Sequence, residues 1–235
     1  MARRMRDRTF RDEQWRRRHE PHVAALNRQL ESWAQDRQVA EPPLVPPHLG
    51  GIKARIVCVL RDPGPRAGGV KGSRFVSWEN DDPTAERHQA FANQAGISDG
   101  EVVTFNSYLW YINAQPTKTQ LVSGIPEFLT LLGLVDRPEV IIFHGRTAHY
   151  FRRLLDQAQP AWSPVPSSTP GKWDSYAPFR SGDHILETYH PSRQALQSPD
   201  PAERERREAH LRRTYQHAAT LIRSSVTLPA NDPSR

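Results

Sequence analysis

Arg55-Ile-Val-Cys-Val-Leu-Arg-Asp-Pro-Gly-Pro65 is an apolar, mostly β-branched run that stops at a turn. Apolar residues without alternation read as a strand covered on both faces, and Asp-Pro-Gly is turn chemistry. Three similar runs follow at wide spacing, so strands are expected at residues 54–60, 102–105, 140–143 and 185–189. Amphipathic stretches lie between and after them, at 83–95, 119–134, 146–157 and 201–223. Strands that alternate with helices form a parallel sheet covered on both sides. The expected fold is a three-layer α/β/α sandwich around a central four-stranded parallel sheet.

In such a sheet ligands bind outside the carboxyl ends of the strands, so the residues just past each apolar run carry the chemistry. The first run ends in Arg61-Asp62-Pro63-Gly64-Pro65, with Ser73-Arg74-Phe75 a little further on. The second ends in Asn106-Ser107, the third in His144-Gly145 and the fourth in Tyr189-His190-Pro191-Ser192. A carboxylate, a carboxamide and an imidazole are thereby directed to one rim.

Around this centre the chain is simpler. Residues 11–37 are helical in pattern, with Pro21 dividing them into two helices, and Glu41-Pro-Pro-Leu-Val-Pro-Pro47 reads as a stiff connector. The expected organisation is an N-terminal helical extension over 1–50, a catalytic domain over 51–223 and a flexible tail over 224–235. Asp82-Pro83 and Asp200-Pro201 each place a capping Asp before a Pro suited to the first helical position. Residues 159–178, rich in Pro and Ser, read as a surface loop.

The 235 residues carry 32 Lys plus Arg against 26 acids, a net charge of +6, and only four of the cations are Lys. Arginine grips phosphate as a fork and stacks on bases, which points toward nucleic acid. Eight arginines precede residue 19, where a solvated helix face is the expected role. No apolar run approaches the ~20 residues a membrane span needs, and residues 1–20 lack the apolar core of a secretory signal, so a cytoplasmic location is expected. The single cysteine, Cys58, excludes an internal disulfide and a four-cysteine cluster, and is expected in the core. His144 and His149, like His19 and His22, suggest no third ligand by spacing, so no metal is expected. Glu79-Asn80-Asp81-Asp82 reads as a solvated turn leading into a helix cap.

The strand-end residues resemble the uracil-DNA glycosylase superfamily over residues 55–222. Leu60-Arg61-Asp62-Pro63-Gly64-Pro65 is similar to its first motif, with Leu60 in place of the usual leading Gly. His190-Pro191-Ser192 matches its second motif, and Phe75 and Asn106 fall in order where the superfamily has a stacking Phe and a base-reading Asn. Asp62 is the acid of the uracil glycosylases proper, whereas Pro63-Gly64-Pro65 resembles the single-strand-selective and mismatch-specific branches. The iron–sulfur branches need four cysteines, and the branch that traps DNA covalently uses a His that residues 66–74 lack.

The resemblance implies a monofunctional DNA glycosylase that needs no cofactor, acts as a monomer without an obligate protein partner, and has DNA containing uracil or a related deaminated base as its partner. Asp62 would orient water and stabilise a cationic sugar, and His190 would stabilise the departing base. Asn106 would read the base and Phe75 stack on it, with Arg61 and Gly64 beside it. Gly64 stands where a Tyr excludes the thymine methyl group. Pro65, Ser192, Arg193, Gln194 and Leu196 would contact DNA, with Leu196 or Gln194 as the wedge that fills the gap left by a flipped base. The competing expectations are a non-catalytic DNA-binding protein of the same fold, and a metal-dependent phosphodiesterase built on Asp62, Glu79, Asp81 and His190.

Overall fold

The computed structural model describes residues 3–37, 43–69, 72–166 and 184–224. Its centre is a parallel sheet of four strands, β1 (Ile56–Leu60), β2 (Val102–Asn106), β3 (Val140–His144) and β4 (Ile185–Thr188), in the order β2-β1-β3-β4. The register pairs Leu60 with Asn106, Val59 with both Phe105 and Phe143, and His144 with Thr188, so all four strands end at one level. Chain order reverses direction at β1, and the gap between β1 and β3 is the switch point at which such sheets open a crevice.

The helices are α1 (Arg8–Arg16), α2 (Pro21–Asp36), α3 (Pro65–Gly68), α4 (Pro83–Gln94), α5 (Lys118–Ser123), α6 (Ile125–Gly133), α7 (Gly145–Ala158), α8 (Arg193–Leu196) and α9 (Pro201–Ser224). Strand parity divides them into two layers. Val57, Val59, Val103, Phe105, Ile141 and Phe143 face a core shared with residues of α2, α5, α6 and α7. Ile56, Cys58, Val102, Val140, Ile142 and Leu186 face a second core closed by α4 and α9. A parallel sheet buried on both faces is the expected sandwich.

Local differences from the sequence reading have physical causes. The stretch 119–134 is two helices, because Gly124 ends α5 and Pro126 opens α6 without an N–H to offer the preceding turn. Asp82 caps α4 by accepting from the backbone N–H groups of Thr84 and Ala85, as its sequence signalled. The N-terminal segment is no appendage: Val23, Leu26 and Leu30 of α2 are buried in the same core as Val57 and Val59. The connector is internal as well, since Leu44 and Val45 are buried and Leu44 forms a parallel bridge with Phe75. Within the Pro/Ser-rich segment, residues 159–166 bury Trp162 against Phe128 and Phe143; residues 167–178 and the tail 225–235 lie outside the described residues.

Candidate active site

Because side chains alternate across a strand, the face that carries Ile56, Cys58, Val140 and Ile142 also carries Thr104, Asn106 and His144 at the carboxyl ends. Above these ends a cavity of about 790 Å³ opens, lined among others by Asp62, Gly64, Asn106, His190, Ser192 and Gln194. Its size suits one small-molecule-sized group, such as an extruded nucleotide. Three groups expected from sequence to do chemistry therefore share one cavity: Asp62 from the turn after β1, Asn106 from the end of β2 and His190 from the turn after β4.

Asp62 has a side chain only 2% exposed, and the Arg61 guanidinium, itself half exposed, donates to its Oδ1. Burial pushes the Asp62 carboxyl above its ordinary value, and the hydrogen bond and charge of Arg61 oppose that rise.

His190 is fixed in tautomer. The backbone N–H of Ser192 donates to His190 Nδ1 at 3.2 Å, so in the neutral ring the proton sits on Nε2. Burial holds its pKa down to about 4, with the charges of Arg61 and Arg87 adding to the depression. A neutral imidazole with a free Nε2–H donates a hydrogen bond without bringing a charge. Two features that sequence reasoning missed position this ring. Gly145 has φ +80°, and a Cβ there would come within 2.8 Å of His190 Cβ. Arg87 of α4 donates to Pro191 O at 2.7 Å and ties the His-Pro-Ser turn to the opposite wall.

Asn106 is 2% exposed and its Nδ2 has no hydrogen-bond partner among the described residues, and neither has Thr104 Oγ1 two positions earlier on the same face. Two buried, unpaired polar groups at the floor of a cavity are a demand for a polar ligand. Thr104 was missed, although the i, i+2 spacing from Asn106 on a strand signals it. His88 of α4 and His144 at the end of β3 complete the floor.

Other expected site residues lie elsewhere. Phe75 is fully buried, its ring 6.1 Å from that of Trp15 in α1, and it is not among the residues lining the cavity. Its neighbours Val76, Ser77 and Trp78 line it instead. Leu196 is buried in the core under α9, because Ser192 caps α8 by accepting from Ala195 N–H and turns Leu196 inward. Gln194, by contrast, is exposed and lines the cavity, and its chain neighbour Arg193 is exposed. Arg207 supports that loop by donating to Ala195 O and Gln197 O. Pro65 opens α3 and is exposed at the rim, and nothing lies within 4 Å of where a Cβ on Gly64 would stand.

The acidic run is structural rather than a solvated turn. Glu79 is buried, accepting from Arg4 N and Nε and from Gln89 Nε2 at 2.8, 2.9 and 2.6 Å. Asp81 faces Arg3 at 3.7 Å. Neither lines the cavity, so Asp62, Glu79, Asp81 and His190 do not assemble the centre a metal-dependent phosphodiesterase requires. Several N-terminal arginines are likewise engaged, Arg3 with Glu86, Arg17 with Glu13 and Glu20, and Arg18 with Glu31. Exposed cations at the mouth are Arg61 in the turn after β1, Arg66 in α3 and Arg146 in the first turn of α7.

A parallel sheet with an acid after the first strand, an amide at the end of the second and a His-Pro-Ser turn after the last defines a class of hydrolases that act on DNA bases. The family model for the uracil DNA glycosylase superfamily matches residues 47–218, and the chain belongs to that superfamily. Its function is of the DNA glycosylase type. No curated protein matches the chain.

Proposed function

We propose that the protein is a monofunctional DNA glycosylase that removes uracil or a related deaminated base and so opens base excision repair. The observation that carries this reading is the pairing, in one cavity, of a buried carboxylate with a neutral imidazole whose free proton is on Nε2. Cleavage of the N-glycosidic bond leaves the bonding pair on the base and positive charge on the sugar. Asp62 stabilises that cation and orients water; the water adds its hydroxyl to C1′ and its proton is taken up by the departing base. The Nε2–H of His190 donates to the base oxygen on which the negative charge gathers. Each group is of the kind worth about 10²–10⁴-fold.

Asn106 offers an unpaired Nδ2–H, which suits the O4 acceptor of uracil and meets a donor on cytosine. Gly64 leaves the cavity open where a larger residue would exclude a 5-methyl group. In duplex DNA the target must be extruded, and Gln194, exposed beside the cavity, is the group placed to fill the gap. Arg61, Arg66, Arg146 and Arg193 meet the phosphates.

The test uses end-labelled oligonucleotides carrying uracil, thymine opposite guanine, hypoxanthine or xanthine, single- and double-stranded, treated with alkali after incubation. Asp62→Asn is expected to keep DNA binding and lose about 10²–10⁴-fold in excision rate. Unchanged turnover in Asp62→Asn would remove Asp62 from the mechanism, and DNA binding with no excision of any base would favour the non-catalytic reading.

A further inference from the structure

The two histidines of the cavity floor belong to a cluster to which the proposed excision assigns no role. Cys58 from the middle of β1, His144 from the end of β3 and His88 from α4 each bring one potential ligand atom, a sulfur and two ring nitrogens, within 4.8 Å of one another. All three residues are buried. Strand parity explains the meeting: Cys58 pairs with Ile142, and His144 stands two residues further along the same face. The His88 and His144 rings approach with centroids 5.1 Å apart.

This cluster is incompletely satisfied. His88 Nε2 is buried without a hydrogen-bond partner among the described residues, and natural interiors rarely leave such an atom unpaired. The His144 ring is fixed by two partners: Tyr215 Oη of α9 lies 3.3 Å from its Nε2, and the backbone of Tyr189 after β4 hydrogen-bonds the ring as well. Tyr215 also hydrogen-bonds the Cys58 thiol. Partners that fix an imidazole's orientation, backbone groups among them, are the outer support found around metal-ligating histidines. The remaining pairs of histidines are accounted for otherwise, His19 on Glu31 and His22 on Pro47 O, both at 2.8 Å, and His149 on Phe143 O at 3.0 Å.

We propose that Cys58 Sγ and one ring nitrogen each of His88 and His144 form a three-residue binding site for a divalent zinc-like ion, with the fourth position directed toward the cavity that His88 and His144 help to line. One sulfur and two imidazoles are a ligand set for a borderline-soft tetrahedral ion. Metal–ligand distances of about 2.0–2.3 Å place tetrahedral ligands about 3.3–3.8 Å apart. The cluster therefore closes by up to about 1.5 Å on binding, and His88 on α4 is the ligand that does not belong to the sheet. The ion replaces the thiol proton, which leaves to solvent through the cavity. The inference does not depend on which base is excised, or on whether any is.

The experiment titrates cobalt(II), then zinc(II), into the untagged full-length protein freed of metal, followed by spectrophotometry and by metal analysis after gel filtration. One equivalent of cobalt should give a sulfur-to-cobalt charge-transfer band and the intense visible bands of tetrahedral geometry, displaced by zinc. Both should be lost in Cys58→Ala and in His88→Gln. The two variants are read separately, with circular dichroism confirming the fold, so failure of one to fold leaves the other decisive. Binding below one-tenth of an equivalent, spectra of six-coordinate cobalt, or bands that survive both substitutions would overturn the site. Excision measured on the same samples separates it from the glycosylase reading, because either result can fail alone.

Discussion

Replacing Gly145 by Ala probes how His190 is held without touching any reacting group. The backbone at Gly145 has φ +80°, and the added Cβ would stand 2.8 Å from His190 Cβ and 3.4 Å from His190 N. The left-handed conformation alone costs a non-glycine residue about 1–2 kcal/mol. For a chain of this size that corresponds to a fall of about 2–8 °C in Tm. The contact adds a displacement: with 3.4 Å as the near edge of ordinary contact, the His190 backbone must retreat by about 0.6 Å. Misplacement of a catalytic group by about 1 Å costs on the order of 10²-fold, so a loss of about 10–100-fold in single-turnover excision is expected. DNA affinity should change little, because the added Cβ meets His190 and none of the exposed arginines at the mouth. The assay is alkali-dependent cleavage of a labelled oligonucleotide under enzyme excess, with melting and DNA binding measured in parallel. Gly133→Ala is the control, since nothing lies within 4 Å of its added Cβ. A folded Gly145→Ala protein that excises at the wild-type rate would refute the claim that this glycine sets the position of His190.

Three further outcomes are expected. His48 and His88 are held down to about 3, His149 and His190 to about 4, and His144 well below its ordinary value, all chiefly by burial. The unfolded chain takes up these protons near pH 6.5 and the folded chain does not, so stability is full above about 6.5 and falls as pH drops toward 4, by about 1.4 kcal/mol per pH unit for each histidine involved. Urea unfolding at pH 7.5, 5.5 and 4.5 checks the sign, and a flat profile would contradict it. Phe75→Ala should cost about 3–5 kcal/mol in stability as a core truncation. Gln194→Ala should stay within about 0.5 kcal/mol of wild type in stability and slow excision from duplex more than from single strands. Melting curves beside excision assays on both strand forms test the pair, and the reverse pattern would return Phe75 to the site.

The contrast between Phe75 and Asp62 shows what a sequence can place. Asp62, Asn106 and His190 were legible because each follows an apolar strand, and a parallel sheet sends all strand ends to one level whatever else the chain does. Phe75 belongs to no such frame. Its direction is set by the bridge to Leu44 and by Trp15 from α1, two contacts that join it to residues 31 and 60 positions earlier in the chain. Leu196 was ambiguous for a related reason, since a one-turn helix capped by Ser192 decides which way it points and no periodicity is visible in four residues. The division of 119–134 into α5 and α6 was written in Gly124 and Pro126, and only the strength of the apolar pattern across them suggested one helix.

The cluster of Cys58, His88 and His144 shows the limit of reasoning from ligand spacing. Metal motifs are read from ligands close together in the chain, whereas these three come from two strands and a helix. Half of the arrangement was within reach of strand parity: once β1 and β3 are neighbours, Cys58 and His144 share a face. The other half needed α4 to cross that face with His88 turned inward, where its ring meets Trp78 edge-on at 5.5 Å. That packing places the third proposed ligand in the same cavity lining as Asn106 and Thr104. A bound ion would stiffen the floor on which the base is read, so the metal titration and the excision assay examine two layers of one wall.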